Sequence, residues 1–304
     1  MSDLTVKVAA QAKLNLHLRI LSRDDEGYHS IETIFHRIDL ADDLTIAITA
    51  RERTLDVAGP DVGPVESNLA WRAATAYADH TGWPGGFRIE LAKRIAVGAG
   101  LGGGSADAAA VLRAFNSLAP QPMPVRGLLA LAATLGSDIP FLASEAVMAL
   151  AWGRGERMLA LPPLPRYDVL LMTPGFSVKT ADAYRWLDDD RVIRSKARIS
   201  MGEPARIAEA VTYDPLQLSN WLGIARFARN DFESVVAARH PDIGDHIARL
   251  RNSRATFAGL TGSGSTVFGV LDSPPDYAKV PVEHRERVTT TSTSIDVVQP
   301  VRVG

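Results

Sequence analysis

Val97-Gly98-Ala99-Gly100-Leu101-Gly102-Gly103-Gly104-Ser105-Ala106-Asp107 is the most informative run in the chain. Five of the seven residues from Gly98 to Gly104 are glycine, and each loses more backbone freedom on folding than any other residue would. A plain turn has no need of so many. Just before the run, Phe87-Arg88-Ile89-Glu90-Leu91 alternates apolar and polar residues as a strand does. Just after it, Ala106 to Leu118 is alanine-rich with apolar residues at helical spacing. A glycine loop between a strand and a helix is where an anion site forms. The backbone can enter positive φ and approach an oxygen closely, while the free N–H groups and the dipole of the helix start favour phosphate. Ser105 adds a hydroxyl able to cap that helix or to meet phosphate or Mg2+.

Two well-known phosphate motifs do not fit. The Walker loop needs a lysine between its last glycine and the Ser/Thr, and no lysine follows these glycines. Gly98, Gly100 and Gly103 match Gly-x-Gly-x-x-Gly, but a dinucleotide fold also wants an acidic residue about 20 positions further on, and Ala119 to Arg126 holds none.

Working outward, Leu4 to Val8 and Leu14 to Leu18 alternate as two short strands or one bent strand, and Asp43 to Ile48 reads as another. Arg51 to Pro64 reads as a turn-bearing excursion, after which Ser67 or Asn68 can cap a helix running to about His80. Val125 to Leu135 is a helix stopped by Gly136, and a turn and proline cluster from Gly153 to Pro165 is the best boundary. Beyond it lie a buried strand at Tyr167 to Met172, helices at Pro204 to Val211 and Phe232 to Leu250, and strands at Ala255 to Leu260 and Thr266 to Leu271 around a second glycine loop. These elements predict an α+β protein of two domains, 1–160 and 161–304, with a cleft between them.

Composition narrows the function classes. With 33 Lys and Arg against 35 Asp and Glu, and basic clusters as short as Lys93-Arg94, nucleic acid is not an expected partner. The absence of cysteine excludes disulfides, thiolate catalysis and Cys-ligated zinc. No secretory signal and no run of about 18 apolar residues is read, so the expectation is a cytoplasmic protein with no membrane partner.

Phosphoryl transfer also needs countercharge and a group to orient or deprotonate the attacking hydroxyl. Lys13, flanked by apolar residues in Gln11-Ala12-Lys13-Leu14-Asn15-Leu16, and Asp138, in Gly136-Ser137-Asp138-Ile139-Pro140-Phe141, are the candidates. Each has an ordinary structural reading too: lysine on a strand is usually solvated, and aspartate after glycine usually caps a helix.

The set of motifs resembles the GHMP kinases, a family of small-molecule kinases. The similarity runs from about Val8 to Val270 through Ala12-Lys-Leu-Asn-Leu16, Asp25-Glu-Gly-Tyr-His29, the glycine run, Gly136-Ser-Asp-Ile-Pro-Phe141, Gly153-Arg-Gly-Glu156, Asn230-Asp231 and Thr261-Gly-Ser-Gly-Ser-Thr266. The resemblance implies a two-domain α+β fold, ATP and Mg2+ as cofactors, and a small-molecule cytidine diphosphate substrate. Its methylerythritol 2-hydroxyl would be phosphorylated, a step of non-mevalonate isoprenoid precursor synthesis. It further implies Lys13 and Asp138 as the catalytic pair. Gly98, Gly100, Gly102, Gly103, Gly104 and Ser105 would form the triphosphate cradle, with Lys93 and Asn68 near the nucleotide. Asn15, Tyr28, His29, Phe35, Thr180 and Tyr184 would meet the substrate, Tyr184 by stacking on the cytosine ring. Gly262 and Gly264 would close the cleft; a hairpin turn is the alternative. Rival readings are a relative acting on homoserine or mevalonate and a non-catalytic metabolite-binding regulator. Gln11 stands where the family usually has proline, Asp188 to Arg191 matches no family pattern, and residues 271–304 are unassigned, with 289–294 either unstructured or an added strand. Metal ligands and oligomeric state carry no sequence signal.

Overall fold

The computed structural model describes residues 4–23, 27–200, 212–253, 255–272 and 288–300. The predicted helix at 204–211, the acidic pair Asp25-Glu26 and most of the 271–304 tail lie outside those residues. The order is β1 (Thr5–Arg23), β2 (His29–Thr49), β3 (Arg53–Ala58), α1 (Leu69–Thr81), β4 (Gly86–Ala92), α2 (Gly103–Leu118), α3 (Val125–Leu135), α4 (Ile139–Ala143), β5 (Met148–Gly153), β6 (Arg157–Leu161) and β7 (Asp168–Met172). Then follow α5 (Thr180–Ser200), α6 (Pro215–Leu218), α7 (Trp221–Phe227), α8 (Glu233–Ala237), α9 (Pro241–Asn252), β8 (Phe257–Leu260), β9 (Val267–Leu271), β10 (Val288–Thr290) and β11 (Gln299–Pro300).

Two mixed layers result. One sheet runs β11-β1-β2-β4-β3, with β5 and β6 attached through β2; the other runs β10-β7-β9-β8. The alternation at the chain start belongs to one long strand, whose even-numbered residues from Val6 to Ile20 are all buried. That single strand enters all three apolar clusters: Val6 to Ala10 the first, Ala12 to Leu16 one shared with β7 and β9, and Leu18 and Ile20 a third under α9. The shared cluster packs the sheets together, Leu14 and Leu16 with Val169, Leu171 and Phe268.

Sequence and structure differ at several elements, each for a visible reason. The Arg51 to Pro64 excursion holds β3, parallel to β4, whose short alternation is masked by flanking Gly and Pro. The Gly153 to Pro165 cluster holds β6, an antiparallel neighbour of β5 with largely exposed residues and hence little apolar signal. The helix α5 was not anticipated. It is a charged, solvent-facing helix with Ala183 and Leu187 buried, laced by Asp182–Arg185 and Asp190–Arg194 pairs. Part of the tail is ordered: β10 adds to β7, and β11 adds to β1 in the first sheet. Gln11 explains its own departure from the family pattern. Its side chain donates to Ser292 Oγ at 3.1 Å and to the Ser294 carbonyl, and accepts from the Asp296 N–H, holding the tail against β1.

Among the described residues, no helix is long and apolar enough to cross a membrane.

Candidate active site

The first glycine loop starts where β4 leaves its sheet. Gly98, Gly100 and Gly102 have φ of +67°, +81° and +73°, a region that disfavours any side chain with a Cβ. Two also make contacts only glycine permits. A Cβ on Gly100 would fall 2.2 Å from the Thr261 carbonyl oxygen, and one on Gly102 would meet the Lys13 side chain at 3.0 Å. Gly103, Gly104 and Ser105 form the first turn of α2, which no side chain caps. An uncapped helix start behind positive-φ glycines leaves N–H donors and the positive dipole end for an anion.

The loop is docked onto β1 at an irregularity. The β1–β2 register shifts between Gln11 and Lys13, and the Lys13 N–H bonds the Leu101 carbonyl at 3.0 Å. Such a bulge re-aims a side chain. Lys13 is 3% exposed, so its ammonium must be paired; it donates to Asn15 Oδ1 at 2.6 Å and to the Gly100 carbonyl, and lies 3.3 Å from Asp138 Oδ2. Asp138 precedes α4 without capping it, so the helix-cap reading of that residue fails. Its carboxylate is free to face Lys13. Asn15 is held in turn, its amide donating to Thr33 Oγ1 and its backbone N–H to Thr261 Oγ1.

Thr261 to Thr266 joins the antiparallel strands β8 and β9, so the hairpin reading is correct, and the hairpin also closes on the first loop. The Thr266 N–H bonds the Ala99 carbonyl, and Thr261 Oγ1 donates to Gly100. Asn230 braces the hairpin through bonds to the Leu260 and Gly262 carbonyls, both 2.8 Å.

These groups enclose a cavity of about 430 Å³ lined by Lys13, Asn15, Asp138, Gly98, Gly100, Gly102, Thr180, Tyr184, Gly262 and Gly264. It adjoins a chamber of about 880 Å³ lined by Tyr28, His29, Arg154 and Asp188. Ile31, Ser137, Thr180 and Tyr184 line both. Thr180 Oγ1 lies 3.1 Å from Ser263 Oγ, linking α5 to the second loop. Burial, and then the Asp138 charge, push the Tyr184 hydroxyl up to about 12, so it stays protonated as a hydrogen-bond donor. Tyr184 itself stacks on His29, centroids 4.8 Å apart, and Tyr28 lies under the Arg154 guanidinium at 4.0 Å.

Three predicted residues sit elsewhere. Phe35 is fully buried, stacked on Phe141 with its ring 5.7 Å from Lys13 Nζ, a floor for the lysine rather than a wall of the chamber. Lys93 points beneath the loop, bonded to Asp42 and, at 2.7 Å, to Asp107 on α2. Burial lowers the Lys93 pKa, but Asp107 and Asp42 outweigh it and leave the value raised. Asp107 is pushed up to about 7 by burial, partly opposed by Lys93. Asn68 accepts from the Ala70 N–H and caps α1, whose Leu69 abuts Gly104. Sequence reading missed the roles of Asp42, Asp107, Thr261 and Asn230 as braces. Their partners are far away along the chain, and no local pattern marks them.

The profiles described as GHMP kinases N terminal domain and GHMP kinases C terminal match residues 68–145 and 216–287, spans that hold the first glycine loop with Asp138, and Asn230 with the second loop. The protein named 4-diphosphocytidyl-2-C-methyl-D-erythritol kinase in Solibacter usitatus is 38% identical over 86% of this chain and 80% of its own. This chain belongs to the GHMP kinase family. The protein of the same name from Pelotomaculum thermopropionicum is 34% identical over 95% of this GHMP kinase and 98% of the relative. A crystal structure of 4-(cytidine 5'-diphospho)-2C-methyl-D-erythritol kinase superposes with a TM-score of 0.67 at 32% identity, covering 98% of this chain and 100% of the other. A homoserine kinase from Cytophaga hutchinsonii shares the fold, with a TM-score of 0.64 at 18% identity over 98% of each chain.

Proposed function

We propose that this GHMP kinase acts in the cytoplasm and uses ATP to phosphorylate the 2-hydroxyl of 4-diphosphocytidyl-2-C-methyl-D-erythritol. The observation that carries the reading is the Lys13–Asp138 pair, 3.3 Å apart in a cavity walled by both glycine loops and open to a chamber with His29 and Tyr184. Relatives bearing that enzyme's name along most of the chain support the substrate.

In this reading the α2 N-terminus and the backbone of Gly98 to Ser105 hold the triphosphate. Asp138 accepts the proton of the attacking hydroxyl, whose oxygen forms the new O–P bond as the bond from the γ-phosphorus to the ADP oxygen breaks. Lys13, fixed by Asn15 and Gly100, balances charge on the transferring phosphoryl. Phosphoryl transfer demands little covalent work from the protein, so rigid placement of these groups is its main contribution. The chamber takes the cytidine end, with Tyr28, His29 and Tyr184 as its aromatic walls.

Among the described residues no three His, Asp, Glu or Cys side chains are grouped to hold a metal. Mg2+ carried on the phosphates of ATP needs few protein ligands, and Ser105 at the start of α2 is the protein oxygen offered; bound there, it would neutralise phosphate charge. The test is an ADP-release assay with a panel of alcohols that includes the cytidyl substrate, homoserine and mevalonate. Turnover of the cytidyl compound alone is expected. Turnover of another alcohol without it would overturn the specificity.

A further inference from the structure

The acidic run Asp188 to Asp190 matches no expected family pattern, yet Asp188 lines the chamber and meets the one histidine there. Asp188 Oδ2 lies 3.1 Å from His29 Nε2. Asp188 stands one helical turn beyond Tyr184 on α5, so one face of that helix presents both the ring that stacks on His29 and the carboxylate that bonds it. The His29 side chain is 9% exposed, and its other nitrogen, Nδ1, is buried with no hydrogen-bond partner. Buried polar nitrogens are nearly always partnered, so an unpartnered one on a residue lining the chamber is an open hydrogen-bonding position beside it.

We propose that Asp188 is a positioning residue that fixes the His29 tautomer and so makes the chamber select a 4-aminopyrimidine over a 4-oxopyrimidine. The inference rests on the chamber being the cytidine site. A carboxylate only accepts, so the contact requires Nε2 to carry the hydrogen and donate it. In a neutral imidazole Nδ1 is then a lone-pair acceptor. An exocyclic amino group offers it a hydrogen. A uracil ring offers a carbonyl oxygen instead, setting two lone pairs against each other in a buried place. Sites built around one hydrogen bond reject the analogue lacking it far more strongly than apolar pockets reject a methylene. An aspartate behind a histidine sets the tautomer in the same way in hydrolase triads.

The experiment compares KM for the cytidyl substrate, its uridyl analogue and ATP in wild type, Asp188→Asn and Asp188→Glu, with ¹⁵N NMR of the His29 ring assigned through His29→Gln. Asp188 is 38% exposed, so both variants are expected to fold, and melting curves check this. In Asp188→Asn the carboxamide can turn its amino group to Nε2 and move the ring hydrogen to Nδ1. The expected result is a rise of about tenfold in cytidyl KM, a narrowed cytidyl preference, an unchanged ATP KM, and a changed ¹⁵N pattern. Asp188→Glu, which keeps a charged acceptor, retains the preference. A wild type that turns over the cytidyl substrate while Asp188→Asn keeps its KM ratio and tautomer would overturn this inference alone. A wild type inactive on the cytidyl substrate would overturn both it and the proposed function. A doubly protonated His29 in active wild type would overturn the tautomer assignment and with it the inference.

Discussion

Lys13 Nζ and Asp138 Oδ2 lie 3.3 Å apart, brought together by a bulge in one strand and an uncapped helix start in another part of the chain. If this pair performs proton acceptance and charge balance, Asp138→Asn lowers kcat by about 10²- to 10⁴-fold. Lys13→Met costs a comparable factor, and the double variant is little worse than either single one, because the two act as a unit. ADP release at saturating substrates checks this. Full activity in Asp138→Asn would remove it as the proton acceptor.

The interlocked loops make Gly100 intolerant of substitution. With φ at +81° and a Cβ 2.2 Å from the Thr261 carbonyl oxygen, Gly100→Ala has to displace backbone and is expected to cost at least ~2 kcal/mol and to raise ATP KM. Gly244→Ala is the control. It lies within α9, its Cβ would meet only Ala237 at 3.7 Å, and it is expected to stabilise by about 0.5–1 kcal/mol. Urea unfolding of both variants reads out the contrast.

Lys93 sits between Asp42 and Asp107, all three nearly without solvent exposure. Lys93→Met would leave two buried carboxylates with no cation, a loss of roughly 3–5 kcal/mol. Replacing the triad together, with Asp42→Asn, Lys93→Met and Asp107→Asn, is expected to recover most of that stability. A Lys93→Met protein as stable as wild type but with weakened ATP binding would instead return Lys93 to the nucleotide.

Acid sensitivity follows from two histidines. Burial lowers both His17 and His36 to about 4, with Glu32 and the Arg37 carbonyl respectively opposing the shift. A depressed pKa means the unfolded chain binds the proton more readily. Stability from these groups is therefore present above the ordinary value near 6.5 and is lost as pH falls through about 4. For fully buried His36 the effect is of order 3 kcal/mol. Chemical unfolding at pH 4 to 7 is expected to show a shallower acid loss in His36→Gln than in wild type; an identical slope would exclude His36.

The sequence by itself determined the strand–glycine-loop–helix unit, a cap at Ser67 or Asn68, the helix ended by Gly136 and the candidacy of Lys13 and Asp138. Such features depend on neighbours in the chain: alternation of apolar residues, positive φ at glycine, caps one or two residues away. Only the tertiary structure decided that Asp138 faces Lys13 instead of capping, that Lys93 serves Asp42 and Asp107, that Phe35 lies under the site, and that Asp188 reaches His29. Those outcomes rest on strand register, a bulge and the packing of Ala183 and Leu187 of α5 with Leu18, Ile20 and Ile31, and segments remote in sequence meet there through contacts that no local pattern encodes.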